Sequence, residues 1–170
     1  MKILHVPHDQ LSDEMSGALC KLLFACWPKQ EFFKTHTWCF SEPEWHLIAE
    51  DRGEPVAHVS MLRRTVNAGE QAILVAGLAC VCTSPGIRGK GWGLKLVREF
   101  DRLCQGDFDA GLGFTGKELL SYYARAGWES YPCQIRDFPG GKFWDACGIW
   151  KPYRTPVPKA KEVTLNGARW

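Results

Sequence analysis

The chain carries almost no net charge and no block of one sign. Its 21 Lys and Arg are interspersed with 19 Asp and Glu, leaving a formal charge of +2, so no electrostatic case for a nucleic-acid partner arises. No apolar run is long enough to span a membrane, and the amino terminus, Met1 to Gln10, has one Lys and no signal-like hydrophobic stretch. A cytoplasmic chain without a membrane partner is expected. None of the eight cysteines, at 20, 26, 39, 80, 82, 104, 133 and 147, forms a C-x-x-C pair, which removes the usual zinc and redox spacings and leaves no metal site to expect. They lie inside apolar segments and read as buried free thiols, with a nucleophilic role for Cys80 or Cys82 left open. Internal repeats and low-complexity linkers are also missing. With 170 residues and 45% hydrophobic content, one packed domain follows for residues 1–150. The Pro- and Lys-rich residues 151–170 are expected to pack on that domain or on a partner subunit, which allows a homodimer.

What is present is a change of period along the chain. Met1 to Val6 reads as a strand ended by Pro7. Met15, Leu19, Leu22, Leu23 and Cys26 fall at helical spacing, with Asp9 or Ser12 as cap and Pro28 as stop. Phe32 to Trp45 is dense in aromatic residues, most of which are expected in the core. From Trp45 the pattern alternates: strands at Trp45 to Glu50, Pro55 to Val66 and Ala72 to Thr83, joined by turns at Asp51 to Glu54 and Asn67 to Glu70. The third strand, AILVAGLACVCT, is apolar on both faces, as a central strand would be. Helices are predicted at Leu94 to Cys104 and Gly116 to Ala126, a strand at Ala110 to Thr115, and two strands at Trp128 to Arg136 and Lys142 to Trp150. The sum is an α+β layer with a mixed, mostly antiparallel sheet flanked by helices.

The segment Thr83 to Val97, TSPGIRGKGWGLKLV, carries the chemistry. Gly89, Gly91 and Gly93 lack Cβ, so backbone N–H groups there can turn inward at positive φ and approach a phosphate closely. A helix opening just after them adds unpaired N–H groups and the positive end of its dipole, and Arg88 adds a forked cation. Two other phosphate motifs fit badly. Trp92 follows Gly91 where a Walker loop needs Lys, and the spacing G-x-G-x-G differs from a dinucleotide G-x-G-x-x-G.

The string R-x-x-G-x-G at Arg88 to Gly93 resembles that of the GCN5-related N-acetyltransferase (GNAT) superfamily, and the order of elements is similar over nearly the whole chain. The resemblance implies an acetyl-CoA-dependent N-acetyltransferase with acetyl-CoA as co-substrate, and a helical loop over the acceptor site at Phe32 to Trp45. In that family Arg88, Gly89, Lys90, Gly91, Trp92 and Gly93 would hold the pyrophosphate, and Val81, Cys82 and Thr83 would meet the pantetheine arm and thioester through main-chain atoms. Ser121 to Trp128 is similar to the family's F-Y-x-x-x-G-[FW] signature, which makes Tyr123 the candidate acid for the leaving thiolate, with Tyr122 as fallback. Many members place a Glu where this chain has Ala79, so no direct base is visible; His58 on the neighbouring strand is the candidate, as a proton acceptor or as a packed, hydrogen-bonded histidine.

Two subfamilies share further features. Trp45 to Asp51, Val56-Ala57-His58 and the Trp-ending tail look like the aminoglycoside 2′-N-acetyltransferases, whereas Ala57 to Arg64 with Val66 and Gly69-Glu70 is similar to the nodulation N-acyltransferases, which acylate an amino sugar. Both imply a small amino-sugar acceptor, an aminoglycoside in the first case, and the full R-x-x-G-x-G string favours that case. Glu31, Trp38, Asp145 and Trp170 are the candidate acceptor contacts. A peptide or other small-amine N-acyltransferase and a non-catalytic acyl-CoA-binding module remain as alternatives.

Overall fold

The computed structural model describes residues 2–170. In chain order they form β1 (Lys2–Pro7), α1 (Asp13–Cys26), β2 (Trp45–Asp51), β3 (Glu54–Ala68), β4 (Gln71–Thr83), α2 (Trp92–Cys104), β5 (Ala110–Phe114), α3 (Leu120–Ala124), β6 (Glu129–Arg136), β7 (Trp144–Pro152) and β8 (Glu162–Thr164), with short 3-10 turns between. The strands hydrogen-bond in the order β1-β2-β3-β4-β5-β7-β6-β8, and β3 also pairs with β8. The pairs β4–β5 and β6–β8 are parallel, whereas β1–β2, β2–β3, β5–β7 and β6–β7 are antiparallel. The sheet is therefore mixed and mostly antiparallel, as the alternating pattern implies.

The residues fall into two compact units. One comprises the chain up to Leu62 with Ala79–Phe100 and Trp170; the other comprises Arg63–Leu78 and Asp101–Arg169. In the first unit, α1 starts where the Ser12 side chain accepts the Met15 N–H at 3.2 Å, which satisfies one orphan donor of the first turn. The helical spacing then sets Leu19, Leu22 and Leu23 on one face, where they pack with Phe33, Ile48 and Cys82. Leu23 is fully buried, so truncating it to Ala would cost about 2–5 kcal/mol. β2 and β3 form the hairpin, with Trp45 opposite Met61 and His46 opposite Ser60.

In the second unit the core is built on Trp150, Leu112 and Ile135, all fully buried. β7 lies between β5 and β6, with Leu112 and Glu129 both registered on Trp150. The last turn of α2 brings in Asp101, whose carboxylate accepts from Trp128 Nε1 at 3.2 Å and Tyr153 Oη at 2.9 Å, with Lys151 Nζ 3.7 Å away. Burial still pushes the Asp101 carboxyl up to about 6.

Three elements differ from the sequence reading. The aromatic segment after α1 forms only a 3-10 turn, Glu31–Lys34, because its aromatics lack helical spacing and Pro43 and Ser41 interrupt it. The helix expected over Gly116 to Ala126 shortens to a 3-10 turn and the five-residue α3. The carboxy-terminal segment contributes β8, with Val163 facing Ile135 of β6 and Ala68 of β3; three residues are too few to show alternation. The predicted first strand began at Met1, which lies outside the described residues.

Candidate active site

The glycine-rich turn of the first unit has the backbone its sequence requires. After β4, a 3-10 turn at Pro85–Ile87 leads to Arg88 in extended conformation, and Gly89 and Gly91 follow at φ +79° and +82°. α2 then begins at Trp92, two residues earlier than the spacing of its apolar residues indicates. A Cβ built on Gly89 or Gly91 would meet no heavy atom within 4 Å. The space beside these backbones is open, and the residues from Gly89 to Gly91 are exposed. Glycine is required here by its φ and not by crowding. Such a loop leaves its N–H groups and the first N–H groups of α2 free to meet an anionic group.

Side chains around the turn add charge and fix its edges. Arg88 Nε donates to the Thr83 carbonyl at 3.2 Å, which ties the loop back to the end of β4. Lys95 Nζ lies 4.6 Å from the centroid of the Trp92 ring, a cation–π contact that holds the first turn of α2. Cys26, at the end of α1, donates its thiol to the same Thr83 carbonyl at 3.5 Å. Its thiol is drawn down to about 6, first by hydrogen bonding from Cys82 and then by Arg88. Lys90 is exposed and Gly93 is buried inside the first helical turn.

The strand that feeds this turn is irregular at one point. Cys80 adopts φ +48°, a left-handed conformation uncommon for a residue with a Cβ, and it interrupts the alternation of β4. The Cys80 thiol pairs with Cys39 and the Cys82 thiol with Cys26, and both cysteines pack on the core cluster of α1. The Cys82 side chain is 6% exposed in the α1 core, so only its main chain is available to a ligand. All eight cysteines are free thiols. The β4–β5 ladder runs from Val75↔Ala110 to Leu78↔Gly113, so among the described residues β4 continues through Val81, Cys82 and Thr83 beyond that ladder.

His58 is placed beside the irregularity. Its Nδ1 is 3.0 Å from the Cys80 carbonyl and its Nε2 is 2.8 Å from His46 Nδ1, while His46 Nε2 is 2.8 Å from His8 Nδ1. His46 and His58 are fully buried. Burial is the main force that depresses both, His58 to about 4 and His46 to about 2, so both are neutral at pH 7. This three-ring chain was missed from sequence, although the β2–β3 hairpin register, which sets His46 opposite Ser60 two residues from His58, could have exposed the contact.

The other candidate residues divide between the units. In the first unit, Trp38 meets His8 and His36 edge-on at 5.0 and 4.9 Å, which puts it at the outer end of the histidine chain. Glu31 is exposed and paired with Lys34 at 2.6 Å within its own turn, and Trp170 belongs to the same unit and is half-buried. In the second unit, Tyr123 is 6% exposed. Burial and then the adjacent Tyr122 raise its phenol above the ordinary tyrosine range, against a hydrogen bond with Thr115. It is therefore protonated at neutral pH, able to donate. Tyr122 is half-buried and packs edge-on against it. Asp145 is exposed on β7. It accepts from Gln134 Nε2 at 3.5 Å and lines an open groove of about 470 Å³ with Lys117, Lys161, Cys133 and Cys147.

Comparison with solved structures gives the fold a lineage. Escherichia coli ElaA superposes with a TM-score of 0.65 at 15% identity, covering 88% of this chain and 98% of that one. A GNAT family acetyltransferase from Brucella melitensis, solved with acetyl-CoA, gives 0.63 at 16%, covering 97% and 96%. An aminoglycoside 6′-N-acetyltransferase complexed with coenzyme A gives 0.65 at 15%, covering 94% and 100%. The fold is that of the GNAT acetyltransferases. No curated protein matches the chain by sequence. The family model for nodulation protein A (NodA) matches residues 5–137, a span that includes α1, the histidine chain, the glycine turn and Tyr123. By that match the chain belongs to the nodulation protein A family, a family of N-acyltransferases.

Proposed function

We propose that the chain transfers an acetyl group from acetyl-CoA to a primary amine of a small amino sugar, in its sharpest form an aminoglycoside. The observation that carries this reading is the pair Gly89 and Gly91 at positive φ with open space where a Cβ would stand, directly ahead of α2. A pyrophosphate needs that space and those N–H groups, and Arg88 and Lys90 add cations beside it. The residues present thus fit CoA, with Arg88 to Gly93 as pyrophosphate holders and the main chain of Val81, Cys82 and Thr83 as contacts of the acyl arm. CoA, when bound, supplies an activated thioester.

The protein's own residues supply the rest. Tyr123, held protonated, acts as the acid toward the departing thiolate. No carboxylate stands at Ala79 to act as base, so the reading requires an amine that reaches the site partly neutral or loses its proton to water. His58 is unsuited to that task as it stands, because its two ring nitrogens are engaged by Cys80 and His46. Trp38, Glu31, Asp145 and Trp170 are proposed contacts of the acceptor. The amino-sugar class is supported by the nodulation N-acyltransferases, which acylate an amino sugar, and by the aminoglycoside acetyltransferase among the similar folds.

The test combines calorimetric binding of acetyl-CoA with CoA release over a panel of aminoglycosides, simple amino sugars, other amines and short peptides. Saturable binding with release on amino sugars is the expected outcome. Release on peptides alone would overturn the acceptor class, and absence of binding would overturn the cradle.

A further inference from the structure

We propose that His8, His46 and His58 form a one-way hydrogen-bond chain that holds the Cys80 carbonyl at the β4 irregularity and so aims the Val81 N–H as a donor to the oxyanion that develops in acyl transfer. The proposal rests on the reading above that the acyl donor lies along the main chain of Val81 to Thr83.

The polarity of the chain follows from its inner end. A peptide carbonyl only accepts, so the hydrogen shared with it belongs to His58 Nδ1, 3.0 Å from the Cys80 oxygen. His58 Nε2 is then bare and accepts from His46 Nδ1–H at 2.8 Å. The same logic makes His46 Nε2 the acceptor of His8 Nδ1–H at 2.8 Å. All three rings are Nδ1–H tautomers, and only His8 Nε2 is left over. That atom faces Glu42 Oε1 at 3.5 Å, with the His8 side chain 17% exposed.

A chain of this polarity cannot collect a proton from a bound amine. Its inner terminus is a carbonyl, and neither nitrogen of His58 is available to substrate. What it can do is hold a strained peptide. Cys80 at φ +48° persists only where its surroundings fix it, and the buried His58 ring supplies a directed bond to its carbonyl. No cis peptide bond occurs among the described residues, so the Val81 N–H points opposite to the Cys80 C=O and therefore away from the His58 ring. Fixing one group fixes the other. Preorganised N–H donors of this kind stabilise the charge that forms on a carbonyl oxygen under attack.

The groups facing the chain are few. The Ser60 hydroxyl donates to the Ala79 carbonyl at 3.3 Å, one residue before the strained peptide. The Cys39 thiol bonds Cys80, and Cys82 receives a contact from the His58 main chain. Trp38 caps His8 and links it to His36, Glu42 Oε1 lies 3.5 Å from His8 Nε2, and the His8 main-chain N–H donates to the Glu44 carbonyl at 2.9 Å. None of these opposes the assigned polarity.

The experiment has two arms. In the kinetic arm, His58→Leu removes the donor, and kcat should fall about tenfold or more with the acetyl-CoA KM within about twofold. His58→Asn, whose side-chain amide can occupy the place of Nδ1, should recover activity to within about threefold of wild type. A folded His58→Leu with wild-type kcat overturns the proposal. The second arm uses the unmodified protein and needs no turnover. Nitrogen-detected NMR of the imidazoles should show the Nδ1–H tautomer at all three residues, and acetyl-CoA should shift the Val81 amide resonance. An Nε2–H tautomer at His46 or His58, or a Val81 amide that ignores bound acetyl-CoA, overturns the proposal even if His58→Leu fails to fold. Absence of any turnover would instead count against the acceptor reading, and the NMR arm would still decide the positioning role.

Discussion

Acidification from pH 7 to pH 5 should destabilise the protein through two buried imidazoles. An ordinary histidine titrates near 6.5, whereas His58 is held down to about 4 and His46 to about 2. The unfolded chain therefore binds protons at pH 5 that the folded chain does not. For a group depressed in this way the stabilisation is full above 6.5 and is lost as pH falls toward the folded value. At pH 5 each histidine costs about 2 kcal/mol. Asp101 works in the other direction. Its carboxyl is raised to about 6 from 3.8, so its stabilising contribution is full below 3.8 and lost above 6, and it returns about 1 kcal/mol on going to pH 5. The Cys26 thiol, drawn down to about 6, loses about 1 kcal/mol more as it takes up its proton between pH 7 and pH 5. The net loss is about 3–4 kcal/mol, or roughly 6–15 °C in Tm for a chain of this size. Thermal unfolding followed by circular dichroism at pH 7, 6 and 5 measures it directly. The Asp101→Asn variant should lose stability more steeply with acid because its offset is gone. A Tm that is flat or rises between pH 7 and pH 5 would refute the neutral, buried histidine chain.

Three further outcomes follow from particular residues. Gly91→Val places a branched side chain at φ +82° and in the space read as the phosphate approach; acetyl-CoA binding measured by calorimetry should weaken by about tenfold or more. Tyr123→Phe removes one phenolic hydroxyl, so kcat should fall at least about tenfold while the acetyl-CoA Kd stays within about twofold; unchanged kcat would remove Tyr123 as the acid. Gly111→Ala would set a Cβ 2.6 Å from Trp128 Cη2, inside the core that also holds Asp101, and should lower stability by about 1–3 kcal/mol in urea unfolding with m unchanged.

Much of the fold was legible because it rests on periodicity. The apolar run of β4, the alternation in β2 and β3 and the leucine spacing of α1 each fix an element within a few residues. The R-x-x-G-x-G turn was legible for a different reason: glycine at alternate positions states a backbone requirement, and Gly89 and Gly91 have the positive φ it implies, whereas Gly93, read the same way, lies inside the first turn of α2. The left-handed Cys80 was not legible, because no glycine or asparagine marks it and its conformation is imposed by partners distant in sequence. The histidine chain was hidden for a related reason. His8, His46 and His58 belong to a 3-10 turn, a strand and its neighbour, and only the register of the hairpin and the seating of β1 on β2 bring their rings into line. The helical loop expected over Phe32 to Trp45 came from the family likeness and has no support in the spacing of its aromatics, and β8 is a strand only because β3 and β6 offer it partners. The two subfamily likenesses led to one amino-sugar acceptor, and the family match falls on the nodulation side.

The most direct test of the central claim is mass spectrometry of the acceptor after incubation of the purified protein with acetyl-CoA and a mixture of aminoglycosides and simple amino sugars. The account predicts one added acetyl group on an amino-sugar amine, formed in step with free CoA and lost in Gly91→Val. An acceptor pool that stays unmodified while acetyl-CoA is bound, or acetylation confined to peptides, would contradict it.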